Sequence, residues 1–145
     1  MNTYDPNYIY TPALFTVGVK VVVIHSITQK ILLIQRSEKC SRPHGWDFPG
    51  GGVDTGEDPG DACVREAQEE TGVSIYNIQP ITTSIFAEEG KPTSLVIGYR
   101  ANTDSEDVVL SWEHESYQWA SLDEIANIDL PSLHTKILEA IITHK

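Results

Sequence analysis

The segment from Gly51 to Val73, GGVDTGEDPGDACVREAQEETGV, restricts the possible folds of this chain more than any other. A glycine turn runs into a helix whose two ends are marked. Asp58 is a natural N-cap, and Pro59 fits the first helical position, where a missing N–H loses no hydrogen bond. Asp61 adds negative charge where the helix dipole favours it. Gly72 predicts a left-handed stop, so the helical body is Gly60 to Thr71. Val64, Ala67 and Thr71 fall on one side and are expected to pack on a sheet. Glu66 and Glu70 fall on another side at i and i+4, with Glu69 at i+3 from Glu66.

The glutamates sit at the unfavourable end. The last helical turn carries partial negative charge, so each costs roughly a few tenths of a kcal/mol, and the like-charged pair costs about as much again. Arg65 offsets part of this. A solvated acidic face is the plain alternative, and the cluster alone fits either reading. A bound Mg²⁺ or Mn²⁺ would remove the conflict, because hard cations take carboxylate oxygens and retain water.

The spacing decides between them. Gly51, Glu57, Arg65-Glu66, Glu69-Glu70, Gly72 and Val73 stand at the intervals of the signature of the Nudix hydrolases, which this segment resembles at every charged and glycine position. Ala67 departs from it, standing where relatives usually carry a larger aliphatic residue; that bears on packing more than on chemistry. The resemblance implies a Nudix fold: an α/β structure in which a mixed β-sheet is sandwiched between helices, an α/β/α sandwich.

The rest of the chain agrees with one such domain over residues 1–145, long enough for a sizeable core. Phe15 to Ile24 and Lys30 to Arg36 read as paired strands joined by a turn. Ser37 to Asp47 reads as a loop, and Phe48 to Gly52 as a glycine-rich approach to the helix, where backbone can come close to a ligand. Ser74 to Ala87 and Ser94 to Asn102 read as strands around the turn Glu88 to Thr93, and Thr103 to Asp107 as an acidic loop. Tyr117 to Ala120 is a short strand, and Ser121 to Glu124 a capping box that starts a short helix. Pro131 to Thr143 closes the chain as an amphipathic helix burying Leu133, Ile137, Leu138 and Ile141. The start, MNTYDPNYIYTP, is expected to be an arm or first edge strand.

A net charge of −11 argues against a broad basic surface for long nucleic acid. Cys40 and Cys63 form no disulfide framework and suit a reducing cytoplasm, with Cys63 a small apolar residue at the helix border. Neither a signal-peptide pattern nor an apolar run of membrane-spanning length is present.

For chemistry, the resemblance implies attack of water on a diphosphate linkage of a small nucleotide, with a divalent cation (Mg²⁺, or Mn²⁺) neutralising phosphate oxygens. Glu66, Glu69 and Glu70 become metal ligands, joined by the Gly50 carbonyl, with Gly51 beside the substrate. Arg65 and Glu57 pair to hold the glutamates in place, although Glu57 alone would read as a helix-start acid. Glu113, in a stretch (Trp112 to Ile125) that resembles the corresponding stretch of family members, is expected to add a further carboxylate; His114 and Glu115 compete for that role, and Glu88 and Glu89 lie on another loop. Either Glu113 or Glu70 serves as base. Arg36, at a strand end, is expected on substrate phosphates, against the plain reading of a surface arginine; Lys39, Arg42 and His44 are weaker choices. Trp46 is expected to line the site or stack on a base, and Phe48 to sit in the core.

The substrate expected is a nucleoside di- or triphosphate, cleaved to the monophosphate and phosphate or pyrophosphate. Markers of other subfamilies are missing: Pro92 lies late for an ADP-ribose hydrolase, and the tyrosine usual in dinucleoside polyphosphate hydrolases is absent. Trp46 to Gly51, WDFPGG, resembles the oxidised-guanine hydrolases, yet His134 stands near where some of them place a base-reading asparagine. The alternatives are hydrolysis of a nucleotide sugar, a dinucleotide or an RNA 5′ end, and, from another class, a non-catalytic nucleotide-binding module, which would be expected to lose box glutamates. A homodimer is expected by family analogy alone.

Overall fold

The computed structural model describes residues 5–144. In chain order its elements are β1 (Thr16–His25), β2 (Ile31–Arg36), β3 (Trp46–Asp47), β4 (Gly50–Gly52), α1 (Pro59–Thr71), β5 (Tyr76–Phe86), β6 (Ser94–Thr103), β7 (His114–Ala120), α2 (Leu122–Ile125) and α3 (Ser132–Thr143). All seven strands belong to one sheet, with the path β3-β2-β1-β6-β5. β1 runs parallel to β6 from Thr16↔Ser94 to His25↔Thr103, while β5 and β6 are antiparallel. The sheet is therefore mixed, as expected.

β1 and β2 pair only at the hairpin, Ile24↔Ile31. Beyond it they part. β4 takes the free edge of β1 at Gly18 to Lys20, and β2 pairs with β3 and β7. The run Trp46 to Gly52 is thereby wedged beside the two strands, a placement that sets up the site.

Side chains alternate along β1, and both faces are buried. Val19, Val21 and Val23 join Leu32, Ile34, Ala62, Cys63 and Tyr99 in one core cluster, beneath α1. Val22, Ile24, Leu33 and Phe48 join Ile125, Ile137, Leu138 and Ile141 in the other, beneath α2 and α3. Helices thus cover both faces of the sheet.

α1 has the expected ends: the Asp58 side chain accepts from the Gly60 N–H, and Gly72 stops the helix at φ 67°. Its buried face differs from expectation. Ala67 and Thr71 are buried, but Val64 is 39% exposed; Ala62, Cys63 and Glu70 complete the inward stripe. Cys63 is thus a core residue rather than a border one. The stripe turned inward includes Glu70 because the sheet side of the helix runs through positions 63, 67 and 70, leaving Val64 at its margin. The start of the chain also differs from one alternative: residues 5–15 form no strand, and residues 1–4 lie outside the described part. α2 carries the full capping box, with Ser121 and Glu124 bonded reciprocally. In α3, Leu133 is only partly buried and His134 takes an inward place instead.

Candidate active site

Two neighbouring groups of charged residues lie where β1, β2, β4, α1 and the start of β7 meet. The first centres on Asp47, which is 2% exposed. Its Oδ1 lies 2.8 Å from Lys20 Nζ, its Oδ2 lies 3.3 Å from the nearer Arg36 Nη, and His134 Nε2 bonds it from α3. Asp47 also accepts from the Phe48 N–H at 2.8 Å, and the His134 ring stacks on Phe48. Burial would raise the Asp47 pKa. The charge of Lys20 and the bond from His134 more than reverse that, holding the carboxyl well below the usual carboxylate range.

The second group centres on Glu70, which is 7% exposed. Its Oε2 accepts from the Gly50 N–H at 3.0 Å. Burial pushes its pKa up to about 8; Lys20 and the Gly50 bond oppose the rise, while Glu66 and Asp47 add to it. Glu113 and His114 stand beside it: one ligand atom from each of Glu70, Glu113 and His114 lies within 4.8 Å of the others. Backbone bonds produce this approach. The last carbonyls of α1 would be orphans, and those of Glu70 and Thr71 accept from Ser111 (3.1 Å) and Val109 (2.9 Å), latching the loop before β7 onto the helix end. Glu66 is half-buried. Desolvation raises its pKa against the pull of Arg65, and the charges of Glu69 and Glu113 push the same way as burial.

The glycines make this crowding possible. Gly50, at φ 154°, has no room for a Cβ, which would meet the Val19 carbonyl and come within 2.9 Å of Lys20 Cα. A Cβ on Gly51 would lie 2.5 Å from Glu66 Oε1, so any other residue there pushes that carboxylate aside.

Arg65 ties the outer side together. It donates through Nε to Glu57 Oε1 at 2.8 Å and through Nη2 to Glu57 Oε2 at 3.0 Å. The same guanidinium reaches Glu66 Oε1 (2.9 Å), Glu69 Oε2 (3.2 Å) and the Gly52 carbonyl (2.9 Å). The fork from Arg65 holds the Glu57 carboxyl down at about 2. Glu57 is therefore a partner of Arg65 and of the Asp54 N–H rather than a bare helix-start acid.

The structure brings Glu70, Glu113 and His114 together, with Glu66 next to them. Glu69 is not in that cluster: its side chain is 59% exposed and turned to Arg65. Arg36 is less free than expected of a phosphate-binding arginine, because it donates to the Ser41 carbonyl (2.7 Å), the Ser41 hydroxyl and Asp47. It nevertheless lines a cavity of about 260 Å³ with Arg42, Trp46, Asp47 and Leu130. Trp46 is half-buried in that wall, and Phe48 is fully buried, as expected of a core residue. Glu115 pairs with His44 at the surface. Glu88 pairs with Lys91 within its own turn.

Lys20, Asp47 and His134 were not among the expected site residues. One signal was present: Lys20 is a lone cation within the apolar strand TVGVKVVVIH, and a buried cation calls for a buried anion. His134 is bonded and stacked in the core, which removes it as a counterpart of a base-reading asparagine.

These features can be set beside known proteins. The family model of the NUDIX domain matches residues 14–141. A bis(5′-nucleosyl)-tetraphosphatase (asymmetrical) of Caenorhabditis elegans is 33% identical over 113 residues, 74% of this chain and 80% of that protein. The solved structure of a MutT protein from Methanosarcina mazei superposes with a TM-score of 0.77 at 27% identity, over 93% of this chain and 98% of that one. A C. elegans Ap4A hydrolase binary complex superposes with a TM-score of 0.72 at 26% identity, over 89% and 96%. Signature, fold and relatives agree: this chain belongs to the Nudix hydrolases, enzymes that act on diphosphate linkages.

Proposed function

We propose that this chain hydrolyses a phosphoric anhydride bond of a nucleoside polyphosphate, with a dinucleoside tetraphosphate as the first substrate to test, using Mg²⁺ or Mn²⁺ held by Glu70, Glu113 and Glu66. The observation that carries the reaction is the cluster of buried Glu70, part-buried Glu113 and buried His114 at the end of α1, with the acidic Glu66 beside it, a donor set that fits a divalent cation. When bound, such an ion neutralises phosphate oxygens and lowers the pKa of water.

The chain's own residues supply the rest. Arg65, locked to Glu57, holds Glu66 and Glu69 in fixed directions. Gly50 and Gly51 let the turn lie close against Glu70 and Glu66. Glu113 comes from a loop outside α1, and either it or Glu70 would orient a water. Lys20 and Arg36, held by Asp47, keep positive charge beside the site.

The tetraphosphate reading draws on the relatives named for that activity and on the shape beside Trp46. Arg42 lines both the 260 Å³ cavity and a second one of about 430 Å³, whose other walls are Ser41, Phe86, Glu88 and Lys91. Each cavity thus holds one aromatic side chain, Trp46 or Phe86, on which a base could stack. A nucleoside triphosphate is the second reading. It is favoured by the run WDFPGG and by the likeness to the MutT protein.

Chromatography of products from purified protein with Mg²⁺ separates these readings. Mono- and triphosphate from a dinucleoside tetraphosphate supports the first. Turnover confined to nucleoside triphosphates replaces it with the second. No turnover of any nucleotide, with Mn²⁺ also tried, would sink both. The one-domain organisation and a homodimer are part of the same proposal, and light scattering checks the latter.

A further inference from the structure

The carboxylates account for the acidic part of the cluster but leave His114 unexplained. It is 7% exposed. Among the described residues its Nδ1 is buried without a hydrogen-bond partner. Such an atom loses water and regains nothing, which is uncommon in a native interior. His25 Nδ1 accepts from the Thr28 N–H. His134 Nδ1 is unpartnered as well, but its Nε2 bonds Asp47 and it stands outside the Glu70–Glu113–His114 cluster.

We propose that His114 supplies a nitrogen ligand to a divalent cation shared with Glu70 and Glu113, so that this site prefers Mn²⁺ or Co²⁺ over Mg²⁺. The inference deepens the proposed function and rests on its metal site. Donors of the three residues lie within 4.8 Å of one another. An ion with bonds of about 2.0–2.3 Å keeps its donors within roughly twice that distance, so the cluster needs only a small closure. The backbone at this position is irregular. His114 opens β7 opposite Arg36, and the ladder slips in register between Gln35 and Arg36; such irregularities redirect a side chain at the rim of a sheet. Its own N–H is anchored to the Ser111 carbonyl, next to the Ser111 N–H that latches onto Glu70.

Chemistry then sets the preference. Mg²⁺ takes oxygen donors and retains its water, whereas imidazole suits later transition ions, whose affinity for mixed nitrogen and oxygen sites rises along the series.

The test uses the whole protein loaded with Mn²⁺ and pulsed electron paramagnetic resonance. The wild type is expected to show the ¹⁴N coupling of a directly bound imidazole, replaced by a ¹⁵N signature after histidine labelling. His114→Ala is expected to lose that coupling and to weaken Mn²⁺ binding about tenfold or more, with Mg²⁺ affinity changed less than about threefold. Bound Mn²⁺ without nitrogen coupling in the wild type overturns the inference and needs no variant to fold. So does coupling that persists in His114→Ala, or an unchanged ratio of Mn²⁺ to Mg²⁺ affinity. Failure of the wild type to bind Mn²⁺ at all overturns the metal site beneath it as well, which distinguishes the two failures.

Discussion

Asp47 and Glu70 are both buried carboxylates that feel the charge of Lys20, yet they live under opposite conditions. Asp47 is ringed by Lys20, Arg36 and His134 and is held ionised far below its ordinary range. Glu70 has one backbone donor and two acidic neighbours, and burial drives it up to about 8. A carboxylate with its cations supplied by the protein is a fastening. One left short of cations is a place where a cation from outside fits. The contrast separates structure from chemistry in two groups of residues that share a neighbourhood.

The contrast would break most visibly in activity. Glu70→Gln is expected to lower turnover about a hundredfold or more, because a ligand is lost where even supporting contacts matter tenfold or more. The same variant should fold at least as well as the wild type without metal, since it removes a buried carboxyl that must hold a proton the unfolded chain would release. Near-normal turnover, measured by product release, would show that Glu70 is only another buried acid. Asp47→Asn should do the reverse in emphasis. Leaving Lys20, Arg36 and His134 without their anion is expected to cost about 3–5 kcal/mol in urea unfolding. A loss under about 1 kcal/mol would show that the cluster does not fasten β1, β2 and α3 together.

A pH series sharpens the comparison. The ordinary Glu pKa is 4.5 and the folded Glu70 value is about 8, so the metal-free folded protein holds a proton that the unfolded chain releases between them. This group costs nothing below the lower value. Its penalty then grows as pH rises, and is complete above the upper one. The urea midpoint of metal-free protein should therefore fall from about pH 5 to about pH 8, and Glu70→Gln should flatten the slope. Glu57 runs the other way. Its depressed value, about 2, contributes stability present above the ordinary glutamate range and lost as pH falls through the folded value. A midpoint that rises with pH in the Glu70 window would contradict the assignment. The smallest effect belongs to Arg65→Lys. It loses the fork on Glu57 and the reach to Glu66 and Glu69, so turnover should fall about tenfold. Stability should move by less than about 1 kcal/mol, because the group is partly open to solvent. Unchanged steady-state kinetics would mean that the glutamates need no such support.

What could be read from sequence follows the range of the forces involved. Both ends of α1 were legible, because Asp58, Pro59 and Gly72 act on backbone groups within a turn of themselves. The capping box at Ser121 was legible for the same reason. The strands of β1, β2 and β6 announced themselves through β-branched runs. β4 did not: Gly50 to Gly52 is a strand only because Gly18 to Lys20 offers a ladder to it. Val64 looked inward by spacing alone, yet the sheet meets the helix through Cys63, Ala67 and Glu70. The carboxylates of the signature pointed to a cation, but the local sequence could not show that Glu69 turns away or that His114 turns in. That depends on how Ser111 and Val109 latch onto the end of α1. The Asp47 group was least visible, since its partners come from β1, β2 and α3.

The most direct test is a calorimetric titration of Mn²⁺ into metal-free protein near pH 7, repeated in two buffers of different ionisation heat. A crowded carboxyl site predicts saturable binding with net release of protons, because Glu70 must give up its proton to accept the ion. Binding without proton release, or affinity unchanged in Glu70→Gln, would contradict the claim that the under-compensated cluster at the end of α1 is the metal site.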